Sequence, residues 1–122
     1  MREENKGSIL LVDDKASIAK FISINLKHSG YDVSVVSGVR MAEEVAPLLI
    51  FDLVAVSSTI LVNSGDAVPR LRRSLSCPVL VYSHEIQTQE EVRTLNADYW
   101  VSRFYEPGIL LQSVAEMLEK EP

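Results

Sequence analysis

Ile9-Leu10-Leu11-Val12-Asp13-Asp14 decides how the chain folds. Four apolar residues in a row, with no polar alternation, read as a short strand buried on both faces, and two carboxylates close it. Beyond them Ile18, Phe21, Ile22 and Leu26 recur at helical spacing, and Gly30 is a natural stop for that helix. A buried strand leading into an amphipathic helix is the start of a βα unit.

The unit repeats along the chain. Tyr31-Asp32-Val33-Ser34-Val35-Val36 is a second strand, and its partial alternation places it at a sheet edge. A short helix is expected from about Val39 to Val45, ended by Pro47. Asp52-Leu53-Val54-Ala55-Val56 reads as the third strand, running into a polar loop at Ser57-Ser58-Thr59. Gly65-Asp66 opens another helix with a thin apolar side, where Pro69 fits only within the first turn. Pro78-Val79-Leu80-Val81-Tyr82 is the fourth strand, ending at Ser83-His84. A polar helix over about Gln87 to Leu95 leads to the fifth strand, Tyr99-Trp100-Val101. The last helix begins near Pro107, with Ile109, Leu110, Val114, Met117 and Leu118 as its buried stripe. Five strands, each followed by a helix, predict an α/β, doubly wound parallel sheet covered on both faces.

Composition narrows the class. A hydrophobic fraction of 47% beside 24% charged residues is that of a chain with a real core, and it excludes disorder. The 122 residues suit one domain, divided here into an extension (1–7), a folded domain (8–120) and a tail (121–122). A net charge of −5 leaves no overall attraction to nucleic acid or anionic lipid, so neither is an expected direct partner. Arg70, Arg72 and Arg73 form a local basic cluster, read first as a solvated helix face and otherwise as a contact patch. Cys77 is the single cysteine, which rules out an internal disulfide and a thiolate cage and suggests a small buried hydrophobe. Met1 to Gly7 is followed by no stretch long enough for a signal peptide or membrane span, so a cytoplasmic setting is expected.

In parallel sheets of this kind the ligand crevice lies beyond the carboxyl ends of the strands. That rule selects Asp13, Asp14, Ser57, Ser83, His84, Ser102 and Arg103. No glycine-rich phosphate loop follows the first strand, which disfavours a nucleotide or flavin domain.

From Ser8 to about Lys120 the chain resembles the receiver domains of two-component response regulators. Ile9 to Asp14 looks like their opening strand and acidic pair, and Gly30-Tyr31-Asp32-Val33 resembles the turn into their second strand. Pro78 to Ser83 resembles the fourth strand with its terminal Ser/Thr. Asn96-Ala97-Asp98-Tyr99-Trp100-Val101-Ser102-Arg103 aligns with the segment that normally ends Lys-Pro. The resemblance implies a CheY-like (βα)5 domain with strand order 2-1-3-4-5, acting as a phosphorylation switch.

Here the chain departs from the family. The aspartate that accepts the phosphoryl group is matched by Ser57, and Gly65, eight residues further on, keeps the register. A carboxylate attacks phosphorus directly, whereas a serine hydroxyl stays protonated and needs a base. The family's Mg²⁺ ligands map onto Asp14, the neutral Ser57 and the carbonyl of Thr59, with Asp13 acting largely through water. With one anionic ligand lost, metal binding is expected to be weak or absent, and no other cofactor is expected. Arg103 takes the lysine position. A guanidinium there would stand in for the cation by pairing with Asp13 or Asp14; the alternative is an arginine pointing to solvent. Ser83 retains the switch hydroxyl and Trp100 the switch aromatic, both readable equally as fixed packing. His84 stands where small residues are common and would obstruct the pocket.

The leading expectation is therefore an atypical receiver that works through protein contacts and is not phosphorylated by the usual aspartate chemistry. Its partner would be a kinase, an output domain, another signalling protein or a second copy, bound through the 87–95 helix, the 99–101 strand and the last helix. The conservative variant is a phosphorelay receiver using another acceptor. A remote alternative is a hydrolase with Ser57 as nucleophile, His84 as base and Asp13 or Asp14 as orienter, although no nucleophile-elbow glycines flank Ser57. Glu116 to Pro122 would begin a linker if an output domain follows.

Overall fold

The computed structural model describes residues 6–83, 96–103, 106 and 108–118. Its elements are β1 (Ser8–Val12), α1 (Ala16–His28), β2 (Asp32–Val36), α2 (Val39–Val45), β3 (Leu53–Ser57), α3 (Ser58–Asn63), α4 (Ala67–Ser74), β4 (Val79–Ser83), β5 (Tyr99–Ser102) and α5 (Ile109–Leu118). The five strands form one parallel sheet in the order β2-β1-β3-β4-β5. The polar helix expected over Gln87 to Leu95 lies outside the described residues.

Burial explains why these segments are strands. β3 and β4 are buried along their whole length, as central strands covered on both faces must be. β2, the alternating one, is an edge strand, and all its residues but Val36 are partly or fully exposed. Successive side chains alternate between two cores. Leu10, Val12, Val54, Val56 and Val81 face α2, α3 and α4 through Ala42, Ile60 and Leu71. Ile9, Leu11, Leu53, Ala55, Leu80 and Tyr82 face α1 and α5 through Ile22, Leu26 and Val114. Ile9, Leu11, Leu53 and Leu80 are fully covered. Burying a side chain of that size stabilises the fold by about 1.5–3 kcal/mol before entropy is subtracted.

The helix ends follow local chemistry. α1 stops at His28, and Gly30 then takes φ 104, which a residue with a Cβ adopts only with strain. Pro69 is the third residue of α4, inside the first turn, where its missing N–H costs no helical hydrogen bond. The sequence reading of Ser57-Ser58-Thr59 as a loop is corrected. β3 runs through Ser57 and α3 begins at Ser58, with the Thr59 N–H donating to Ser57 Oγ over 3.3 Å. Ser57 is thus both the last residue of the strand and the N-cap of the helix.

Candidate functional site at the carboxyl edge of the sheet

The sheet gathers the acidic pair and Ser57 at one edge. Val12 and Val56 are register partners, so Asp13 and Ser57 follow side by side on the neighbouring strands β1 and β3. Ser57 in turn pairs with Tyr82 on β4. Asp13 and Ser57 are buried, and Asp14 is exposed.

Two separate hydrogen-bond systems occupy this edge. Asp13 accepts from the Lys15 backbone N–H at 2.9 Å through Oδ1 and from the Tyr82 hydroxyl at 2.6 Å through Oδ2. Both of its oxygens are therefore engaged by neutral donors from the protein itself. Asp14 Oδ1 accepts from the Thr59 hydroxyl at 3.0 Å, and Thr59 Oγ1 lies 2.9 Å from Ser57 Oγ. Thr59 has one hydroxyl proton and gives it to Asp14, so the Ser57 hydroxyl donates to Thr59. The phenol of Tyr82 is fully buried. Burial is the main cause that raises its pKa well above the ordinary tyrosine value, and the Asp13 carboxylate adds to it.

The other sequence-selected residues fall differently. Arg103 leaves β5 with φ 52, and its Nε lies 3.1 Å from Glu106 Oε2. It makes no ion pair with Asp13 or Asp14, so the expectation of a guanidinium standing in for a cation is corrected. Glu106, three residues on, captures it locally, while Tyr82 and Thr59 meet the carboxylates. Ser83 is buried at the end of β4, beside Ser102 in the register of β5. Trp100 packs against the α2–α4 core, with its indole N–H buried and unpaired among the described residues. His84 lies outside the described residues, and Ser57 donates to Thr59, so nothing observed assembles the Ser-His-Asp arrangement. The basic cluster is largely engaged inside the molecule. Arg70 grips Glu43 with two bonds of 2.9 and 2.7 Å, and Arg72 reaches Asp98 at 3.1 Å and the Asn96 carbonyl at 2.7 Å. The Arg70 hydrogen bonds hold the Glu43 carboxyl below its usual range.

The residues fit a divalent cation poorly. Mg²⁺ takes octahedral oxygen ligands and prefers anionic ones. Each Asp13 oxygen already accepts a hydrogen bond, Ser57 is neutral, and one oxygen of Asp14 accepts from Thr59. Because Thr59 is the second residue of α3, its carbonyl runs along the helix toward Asn63, whose side-chain amide lies 3.4 Å from it. The backbone ligand expected from the sequence is thus already hydrogen-bonded within its own helix. No group of three or more metal-binding side chains occurs among the described residues.

This fold and strand-end site are similar to those of CheY-like receiver domains of response regulators. The chain is similar to the response regulator ArlR of Staphylococcus saprophyticus, with 25% identity over 117 residues covering 93% of this chain and 53% of the relative. ArlR of Staphylococcus aureus is 25% identical over 121 residues, with the same shares covered. The chain thus spans about half the length of the curated relatives it matches. Among solved structures, chemotaxis regulator CheY4 of Vibrio cholerae is 26% identical with a TM-score of 0.76, covering 91% of this chain and 98% of that one. The BeF3-activated receiver domain of Klebsiella pneumoniae RstA has a TM-score of 0.75 at 20% identity, covering 93% of this chain and 99% of that one. No family model matches the chain.

Sequence reasoning missed Tyr82, which it took for one more apolar residue of the fourth strand. The available signal was chemical: a buried phenol needs a hydrogen-bond partner, and Asp13 is the acidic residue on the same face of the sheet.

Proposed function

We propose that this is an atypical receiver domain in two-component signalling, one that passes its signal through protein contacts and does not accept a phosphoryl group at residue 57. The observation that carries the reading is the engagement of Ser57: its hydroxyl donates to Thr59, which donates to Asp14. The Ser57 hydroxyl gives its proton to another hydroxyl and, among the described residues, has no base as its direct partner; any ester it formed would be far more inert than an acyl phosphate. The acidic edge then acts as a fixed polar cluster rather than a phosphate-driven switch.

The partner is a kinase, an output domain, another signalling protein or a second copy, met through β5, α5 and the 87–95 segment in the cytoplasm. Tyr99 and Glu116 join β5 to α5 through a 2.6 Å hydrogen bond, which gives that surface a defined shape. No described helix is long and apolar enough to cross a membrane. Incubation with a small phosphodonor and Mg²⁺ tests the proposal. The expected result is no acid-labile phosphate by mass spectrometry and no change in Trp100 fluorescence; stoichiometric labelling would overturn it.

A further inference from the structure

Tyr82 and Ser57 are coupled by shape. β3 lies between β1 and β4, so Tyr82 and Asp13 are separated by two strand spacings, about 10 Å. Both side chains project from the face that carries Leu11, Ala55 and Leu80, and by strand alternation so does Ser57. The Tyr82 hydroxyl nevertheless reaches Asp13 Oδ2 at 2.6 Å. Its ring must therefore cross β3, and the β3 residue in register with Tyr82 is Ser57. Ser57 is 7% exposed, consistent with a residue that is roofed over. A serine is small enough to lie beneath a phenol. An aspartate there would place a second carboxylate against the ring and beside Asp13, with no cation between them.

We infer that Tyr82 closes the acceptor position, spanning Ser57 to clasp Asp13 so that cation and phosphoryl group are both shut out, and that restoring aspartate at residue 57 alone does not reopen the site. This rests on the reading of the domain as a non-phosphorylated receiver and adds the residue that enforces it. The neutral phenol takes one of the Asp13 oxygens that would face a cation. Opening the site requires removing the roof as well as supplying the anion.

Manganese serves as the probe, because free Mn²⁺ is counted directly by its paramagnetic resonance signal. The chains compared are the unaltered protein, Ser57→Asp, and Ser57→Asp with Tyr82→Leu, each first checked for folding by circular dichroism. The double variant is expected to bind Mn²⁺ at least about tenfold more tightly than Ser57→Asp, because it supplies a second anionic ligand without the roof. Equal affinity of the two variants would overturn the inference. A second measurement needs no substitution: the Tyr82 hydroxyl proton, sequestered against a buried carboxylate, is expected to give a slowly exchanging resonance unchanged by excess Mg²⁺. Its loss or displacement by Mg²⁺ would overturn the inference even if the double variant failed to fold. Phosphodonor labelling of the unaltered chain is a separate arm. Labelling there would sink the functional reading, whereas equal Mn²⁺ affinity without labelling sinks only the role of Tyr82.

Discussion

The Tyr82 hydroxyl donates to Asp13 Oδ2 across 2.6 Å, joining β4 to β1 over the intervening strand β3. Both residues are buried, so the bond is shielded from water. Tyr82→Phe keeps the ring and its packing but strands a buried carboxylate oxygen. A hydrogen bond to a charged group contributes about 1.5–3 kcal/mol, and the loss is expected at the upper end of that range. Urea unfolding checks this: the midpoint should fall with the slope unchanged, and an unaltered midpoint would show that the clasp does not form.

The same phenol makes stability depend on alkaline pH. Its folded-state pKa is raised, by burial first and then by Asp13, while the unfolded tyrosine titrates near pH ~10. The contribution is therefore fully present below pH ~10 and is lost as the pH climbs above it, by up to about 1.4 kcal/mol per unit. Tyr82→Phe lacks this loss. Its stability deficit relative to the unaltered chain should shrink between about pH 10 and pH 11.5 in paired urea titrations. A constant deficit across that window would mean that Tyr82 ionises in the folded state.

The sheet was legible because each strand is a short apolar run ended by polar residues, and β2 betrayed its edge position by alternating. α3 was not legible, since Ser57-Ser58-Thr59 has the composition of a turn; only the N-cap role of Ser57 connects it to a helix. The acidic pair and Ser57 were found from the rule that strand ends hold the site. Tyr82 escaped because its partner lies two strands away in space and 69 residues away in sequence. Which of the two readings of Arg103 holds is decided locally. Its left-handed backbone and the nearby Glu106 set where its guanidinium goes, and neither can be read from residue type.

Cys77 offers a check on burial at the opposite end of β4. Half-buried against the α2–α4 core, its thiol is pushed up to about 11 from 9.0, chiefly by desolvation. Thiolate is the reacting species, and two pKa units reduce its fraction about a hundredfold near pH 8. Labelling with a disulfide reagent at that pH should run at least about tenfold slower than with a free thiol, since the higher pKa also makes the thiolate more nucleophilic, and return to the ordinary rate in urea. Fast labelling of the folded chain would show that the thiol is open to solvent.

Trp100 provides the counterpart to Tyr82. Its indole N–H is buried and unpaired among the described residues, whereas the Tyr82 hydroxyl has Asp13. A buried donor left without an acceptor costs about 1–3 kcal/mol, which offsets much of what the larger ring gains by packing. Trp100→Phe removes the orphaned donor while keeping an aromatic ring beside Val81, its register partner. The variant is expected within about 1 kcal/mol of the unaltered chain, while Trp100→Ala loses the ring itself and costs about 3 kcal/mol. Urea unfolding of both variants separates the two contributions. If Trp100→Phe proves as costly as Trp100→Ala, the indole N–H has an acceptor in solution and the ring is anchored rather than merely packed.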